Sequence, residues 1–369
     1  METTFQMDHH NQPISVIVDF LIIGGGVAGL SAANRLVDLG ENPVLIEAFD
    51  YPSHKICGEF ISPEALPYLQ DWDIVSEIYI NKLKAFSGIS SFNYTFPTAA
   101  ASMSRYELDK KLSDRAQKNG AIIHLNTRVT ELIANDSNNS YIATLSNGKT
   151  IEAHNVLVGG GRFFNTNQNQ QKPKMPYVGF KAHFSGIDLS DTLEMHLHSG
   201  TYLGISPVKD NVVNVACLKA VDKEISNPKE YIENLFQSPE FKRVKEKLDK
   251  GKLIFDEWLF TAAPSFEVKT NPILKNVYFI GDAAGTIPPA TGNGLGMAIT
   301  SGYMAADYAV NQDYMGFLKA WKRRYASRVR KGQMLHNIMM KPNLTKISFF
   351  ICKKAPFIPN IIFSSTREK

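Results

Sequence analysis

Two glycine-rich stretches lie where a phosphate-bearing cofactor needs unhindered backbone. The first, Gly24-Gly25-Gly26-Val27-Ala28-Gly29, follows the apolar run SVIVDFLII over residues 15–23. That run has the β-branched composition of a buried parallel strand. After it, Leu30, Ala33, Leu36 and Val37 recur at helical spacing, with Gly40 as the stop. In this setting Gly24 permits a tight turn, Gly26 lets the backbone approach a pyrophosphate, and Gly29 allows close helix–strand packing. The helix start, which includes Ala28, offers free N–H groups and a positive dipole end. Glu47 closes the next short strand, PVLIE, where a carboxylate accepts hydrogen bonds from ribose hydroxyls.

The second stretch is Gly281-Asp282-Ala283-Ala284-Gly285, continued by Pro289-Ala290-Thr291-Gly292-Asn293-Gly294-Leu295. It lies between the apolar run NVYFI and a helix carrying Leu295, Ala298, Ile299, Gly302 and Ala305. Asp282, at a strand end, suits a ribityl chain, and a glycine-opened helix start stabilises negative charge on a reduced flavin ring. The two stretches together point to FAD rather than NAD. Other chemistries lack their patterns. His196 and His198, and His9-His10, have no partners at ligand spacing, so no metal site is expected. The basic clusters at 322–324 and 328–331 stand alone, so no nucleic-acid partner is expected.

The 369 residues suit about two domains, and 44% hydrophobic with 21% charged residues is globular composition. Cys57, Cys217 and Cys352 are odd in number and far apart, which speaks against a disulfide framework and for a reducing, cytoplasmic setting. From residue 314 to 369 there are thirteen Lys and Arg against one acid. Such a basic segment suits a membrane surface, an acidic carrier protein or simply a solvated helix face. Within it, residues 341–363 concentrate Ile and Phe among lysines and prolines, in keeping with a lipophilic tunnel wall, a membrane-surface contact or a packed helix.

Residues 104–119 read as a helix leading to a short strand at 121–125. Residues 127–133, 141–145 and 150–153 read as a small antiparallel excursion turning at Asn147-Gly148. Residues 155–158 read as a buried strand. From residue 173 the alternation becomes that of an antiparallel sheet, followed by a charged helical stretch over 227–250. The expected fold class is α/β, with an antiparallel sheet inserted into a discontinuous Rossmann-type FAD-binding domain. The FAD-binding domain takes 15–85, 98–172 and 272–311. The substrate domain takes 86–97 and 173–271, and a helical C-terminal segment takes 312–369.

These two motifs, with Ser104-Arg105-Tyr106-Glu107-Leu108-Asp109 between them, resemble the FAD-dependent aromatic-hydroxylase (group A monooxygenase) superfamily over roughly residues 18–310. Lys55-Ile56-Cys57-Gly58-Glu59 resembles its geranylgeranyl reductase-like branch. The resemblance implies that Arg105 and Asp282 contact the cofactor, and that Cys57 and Glu59 stand near the flavin as catalytic candidates. A nucleophilic Cys57 would need a depressed thiol pKa, for which Lys55 or His54 offers positive charge. The segment 201–207 resembles the branch's substrate strand, which makes Tyr202 and Pro207 substrate candidates, although Gly204 stands where a tryptophan is often found. Gly159-Gly160-Gly161-Arg162 replaces the Asp-Gly pair that hydroxylases carry in a segment linked to NAD(P)H. NAD(P)H is the expected electron donor, with a protein donor as the alternative.

The implied function is an FAD-dependent oxidoreductase acting on a small lipophilic or aromatic substrate. It either hydroxylates as a monooxygenase or reduces a C=C bond of a prenyl- or polyketide-type molecule. A flavin-dependent halogenase, or a non-catalytic flavin-fold protein binding a lipid or carrier, are the alternatives.

Overall fold

The computed structural model of the chain describes residues 16–162, 175–198, 200–269, 273–355 and 357–367. The first half supplies β1 (Val16–Ile23), β2 (Val44–Ile46), β3 (Phe60–Ile61), β4 (Ile78–Ser87), β5 (Ser90–Ser102), β6 (Ile122–His124), β7 (Val129–Asn135), β8 (Ser140–Leu145) and β9 (Thr150–Val158). The second half supplies β10 (Tyr177–Ser185), β11 (Thr192–His198), β12 (Thr201–Lys209), β13 (Val212–Ala220), β14 (Lys252–Leu253), β15 (Leu259–Ala263) and β16 (Val277–Phe279). The helices are α1 (Val27–Asp38), α2 (Leu66–Asp71), α3 (Arg105–Lys118), α4 (Pro228–Gln237), α5 (Lys242–Leu248), α6 (Gly294–Val310), α7 (Tyr314–Trp321), α8 (Ser327–Met339), α9 (Pro342–Lys354) and α10 (Ile358–Ser365).

One sheet runs β6-β2-β1-β9-β8-β7, with β16 added alongside β9. Its β1, β2, β6, β9 and β16 pair in parallel, which puts Ile22 opposite Leu45 on one side and Leu157 on the other. Leu21, Ile22, Leu45, Val156 and Leu157 are buried, as continuous apolar strands between helical layers must be. The last parallel strand comes more than a hundred residues after its neighbour, so this unit is interrupted and resumed. The architecture is the α/β fold expected of a Rossmann-type unit carrying a second sheet.

The second sheet runs β14-β10-β13-β12-β11-β4-β5-β3, with β15 also on β10. It takes more of the early chain than residues 86–97. Residues 60–61, 78–87 and 90–102 form strands of it, because β4 runs parallel to β11 with Lys82 opposite Thr192. Alternation through Ile78, Ile80 and Lys82 marks a strand, but only its distant partner β11 decides which sheet it joins. The stretch 227–250 is not one helix, since Pro239 opens a new turn between α4 and α5. Residues 150–158 form one strand rather than two.

On the second sheet the period of two sorts side chains cleanly. Phe180, Ala182, Phe184, Leu203, Ile205, Val213, Val215 and Cys217 face one way, into a core closed by Ile232 and Phe236 of α4, Val244 of α5 and Phe241 from the turn between them. The opposite face of β10, β12 and β13 looks toward the first sheet's unit, and it holds the polar residues described next.

Candidate active site

The two glycine stretches, some 250 residues apart, meet. Gly302 of α6 lies against the Ala28 carbonyl of α1, and a Cβ placed on Gly281 would stand 2.8 Å from the Cβ of Ala28. Arg35 and Asp307 join the same two helices by an ion pair at 2.7 Å. Gly24 has φ +93°, and a Cβ there would come within 2.7 Å of Gly160. By contrast, added Cβ atoms on Gly26 and Gly294 would meet nothing within 4 Å. Two unobstructed helix starts side by side are what a dinucleotide requires, so the residues fit FAD.

The other cofactor candidates are placed around this junction. Buried Glu47 accepts the N–H of Gly25 at 2.6 Å and that of Phe49 at 3.1 Å, which fixes its carboxylate at the first glycine loop. An ionised carboxylate has acceptor capacity beyond two bonds, leaving room for ribose hydroxyls. Asp282 pairs with Arg162 at 3.4 Å. The Arg105 guanidinium forms two bonds of 2.6 Å to Asp109, which leaves its remaining nitrogen free of that fork. Pro289, Gly292, Asn293, Gly294 and Leu295 form the turn and first residues of α6, with Gly292 in the left-handed region at φ +64°.

The segment carrying Cys57 and Glu59 is wedged between this turn and the second sheet. A Cβ on Gly292 would touch Phe60 at 3.0 Å, and Gly296 lies against the Ser62 hydroxyl. From the sheet side, Ser206 Oγ donates to the Gly58 carbonyl and Asn214 Nδ2 to the Cys57 carbonyl, each at 3.1 Å. A Cβ on Gly179 would stand 3.4 Å from Ile56, and Lys181 Nζ donates to the Lys55 carbonyl at 3.1 Å.

Glu59 is locked at every polar atom. Its backbone stands at φ +57°, a left-handed conformation that costs a non-glycine residue about 1–3 kcal/mol and is typical of functional sites. Its N–H points at Cys57 Sγ, 3.3 Å away, and its carbonyl accepts the Ser102 hydroxyl at 2.9 Å. Oε1 takes the Arg105 N–H at 2.7 Å and the Lys181 ammonium, while Oε2 meets His183 Nε2 at 2.7 Å. Burial favours a protonated Glu59 carboxyl, but the His183 bond and the Lys181 charge outweigh it and hold the group below the usual carboxylate range. His54 stacks on Tyr106 and packs on Phe255 and His183. Burial, with Lys181 and His183 adding to it, lowers its pKa to about 4. His54, Glu59 and His183 place donor atoms within 4.8 Å of one another, as a metal site would, but Lys181 already supplies the positive charge on the same carboxylate.

The condition for a nucleophilic Cys57, a depressed thiol pKa, is not met. Burial raises the Cys57 thiol above its ordinary range, more than Arg105 and Lys181 lower it, so the group is held as S–H rather than thiolate. Neither Lys55 nor His54 supplies the activating charge on that sulfur. Lys181 and His183 were not singled out from sequence, although a signal was available. They stand two apart in the otherwise apolar run VGFKAHF, on one strand face.

Tyr202 and Pro207 are buried on β12. The Tyr202 hydroxyl lies over Gly204, 3.0 Å from where a Cβ would be, so this tyrosine fills space that a residue-204 tryptophan would enter. Tyr202 belongs to an apolar cluster with Phe266 and Phe349, against which Ala290, Met339 and Met340 pack. On α8, a Cβ on Gly332 would stand 3.1 Å from Thr291, and one turn later His336 is wedged edge-on between Tyr177 and Phe266. His336 is 2% exposed, and among the described residues neither ring nitrogen has a partner. Burial lowers its pKa to about 4, so it is neutral at pH 7.

An orphaned imidazole costs about 1–3 kcal/mol. His336→Phe is therefore expected to raise the melting temperature at neutral pH by about 2–4 °C. It should also flatten the acid-side fall. A histidine with a depressed folded pKa loses the protein stability as pH drops from the unfolded value near ~6.5 toward the folded one. Thermal melts from pH 4 to 7.5 check this, and an unchanged pH dependence would refute it.

The family model described as lycopene cyclase protein matches residues 19–190. By sequence, the chain is 25% identical over 152 residues to the menaquinone reductase of Mycolicibacterium smegmatis, an alignment covering 39% of this chain and 37% of that protein. It is 25% identical over 312 residues to digeranylgeranylglycerophospholipid reductase 2 of Methanosphaera stadtmanae, covering 78% and 76% respectively. In structure it is similar to a geranylgeranyl bacteriochlorophyll reductase-like protein from Thermoplasma acidophilum. That similarity has a TM-score of 0.75 at 19% identity and covers 95% of this chain and 100% of that one.

Proposed function

We propose that the chain, whose residues 19–190 match the lycopene cyclase family model, is a flavin-dependent reductase of a carbon–carbon double bond in a lipophilic, prenyl-bearing substrate. One observation carries this reading. Cys57 is half-buried with its thiol held as S–H, and the Glu59 N–H that meets its sulfur belongs to a residue whose carboxylate is locked to the Lys181 ammonium. The reduction of an alkene needs a hydride on one carbon and a proton on the other. FAD, held by the residues of the two glycine stretches, supplies the hydride chemistry when bound.

The chain supplies the proton and the shape. Cys57 Sγ–H is the proton donor, and the Glu59 N–H directed at the sulfur stabilises the thiolate left behind. Arg105 and Lys181 lower the cost of that negative charge, since both pull the thiol pKa down against burial. The apolar cluster of Tyr202, Phe266 and Phe349, with Ala290 and Met339 packed against it, is the face assigned to the substrate's apolar chain. His336, neutral and without a partner among the described residues, offers a hydrogen bond to an oxygen of the substrate's polar end. The relatives' printed substrates, a menaquinone and a digeranylgeranyl phospholipid, both combine an isoprenoid chain with such oxygens.

The test is anaerobic turnover of the prereduced protein with a digeranylgeranyl lipid or menaquinone. Gain of two hydrogens without oxygen is expected. Cys57→Ala should lower the rate by about 10²–10⁴-fold with flavin uptake intact, and Cys57→Ser should keep part of it. A product formed only with oxygen and carrying a new hydroxyl would overturn reduction in favour of hydroxylation. Stopped-flow flavin reduction by NADH and NADPH identifies the donor.

A further inference from the structure

We propose that α9 and α10 form a docking surface for an anionic phospholipid bilayer. The inference stands apart from the reaction proposed above. Helix α9 is apolar on two opposite sides. Thr345, Phe349 and Cys352 face the protein body and are buried. Leu344, Ile347, Phe350 and Ile351 fall on the other side and are exposed, Ile347 by 56% and Phe350 by 65%. Phe357 and Ile361 continue this exposed apolar face onto α10. A second loop joins the patch. The Phe92 ring of β5 meets Phe349 at 5.0 Å, and Ile89, at the tip of the β4–β5 hairpin, is fully exposed.

An apolar face of this size is costly in water and marks an interaction site. Its rim identifies the partner. Lys341, Lys346, Lys353 and Lys354 are exposed around it, and residues 314–367 contain no acidic side chain at all. Large apolar side chains with a purely basic border suit lipid tails beneath anionic headgroups. The surface lies on the bilayer rather than crossing it. No single helix among the described residues is long and apolar enough to span, and α9 and α10 are bent by 116° to each other. At ~1.5 Å per residue α9 covers about 20 Å, short of the ~30 Å hydrocarbon core.

The surface is bonded directly to the site. Asn293 Nδ2 donates to the Thr366 carbonyl after α10, and Arg367 donates to Asn293 Oδ1 at 3.0 Å and to the Thr291 carbonyl at 3.4 Å. The inner face of α9, through Phe349, packs into the apolar cluster of Tyr202 and Phe266. A bilayer under α9 and α10 therefore stands next to the turn that opens α6.

The test is vesicle co-sedimentation of the full chain, with phosphatidylcholine alone and with phosphatidylglycerol added. Binding should be at least ~10-fold tighter to the anionic vesicles and should weaken with salt. Ile347→Glu/Phe350→Glu should reduce it at least ~10-fold, and Lys346→Glu/Lys353→Glu about fivefold or more per charge. Both variants change exposed positions, so circular dichroism and melting temperature should match the parent. No vesicle binding by the parent, or equal binding by Ile347→Glu/Phe350→Glu, would overturn the proposal. So would a dimer in light scattering that this variant abolishes while vesicles are ignored, since a second copy would then cover the face.

Discussion

Glu59→Gln is expected to lower the melting temperature by about 4–6 °C, from the ~3–5 kcal/mol cost of leaving a buried charge without its partner. The stranded group is Lys181, whose side chain is completely buried and whose ammonium meets the Glu59 carboxylate. Glutamine preserves the volume and an acceptor for the Arg105 N–H, so the effect reports the charge rather than a cavity. Lys181→Met should be destabilising for the mirror-image reason. The double variant Glu59→Gln/Lys181→Met should recover much of the loss, because it removes both charges together. A double variant as unstable as the sum of the two singles would show that the pair is not coupled.

The same pair sets an acid limit. The folded Glu59 carboxyl is depressed, so the stability it contributes is present above the unfolded carboxyl value near ~4.3 and lost as pH falls through the lower folded value. The parent should show a step in stability below pH ~4 that Glu59→Gln lacks. Thermal melts across pH 3 to 7 measure it.

Gly26→Val is expected to leave the apoprotein's melting temperature within ~1 °C of the parent, and to weaken FAD binding by at least ~10²-fold. The separation of the two effects is the point. Gly26 has φ −72° and ψ 177°, which any residue adopts, and an added Cβ meets no protein atom within 4 Å. A side chain there conflicts only with a molecule lying across the start of α1. Gly24→Val makes the contrast. At φ +93° and 2.7 Å from Gly160 it should lose stability and flavin together. Titration of each apoprotein with FAD, followed by flavin fluorescence and by melting, distinguishes them. A Gly26→Val protein that binds FAD like the parent would remove the cofactor from this helix start.

The sequence by itself determined the local elements that hold a dinucleotide. An apolar strand, a glycine turn and a helix with its stop residue are short-range instructions, and Glu47 at the next strand end follows from the same unit. The late resumption at residues 277–285 was legible for the same reason, since its strand and glycine turn are again contiguous. The Cys57-Gly58-Glu59 element was legible as a location through its neighbours in sequence. Its chemistry was not. Only the tertiary structure decided that Cys57 stays protonated, because burial by distant strands outweighs the nearby positive charge. Only the pairing of β10 with β13 and β15 carried Lys181 and His183 to Glu59, more than 120 residues away in the chain. A charge in an apolar strand is a cost without a partner, and the identity of the partner depends on which loop the sheet packs against. The same holds for α9. Its apolar residues were plain in the sequence, but the packing of Phe349 on Phe92 selected which side is buried and which is left facing outward.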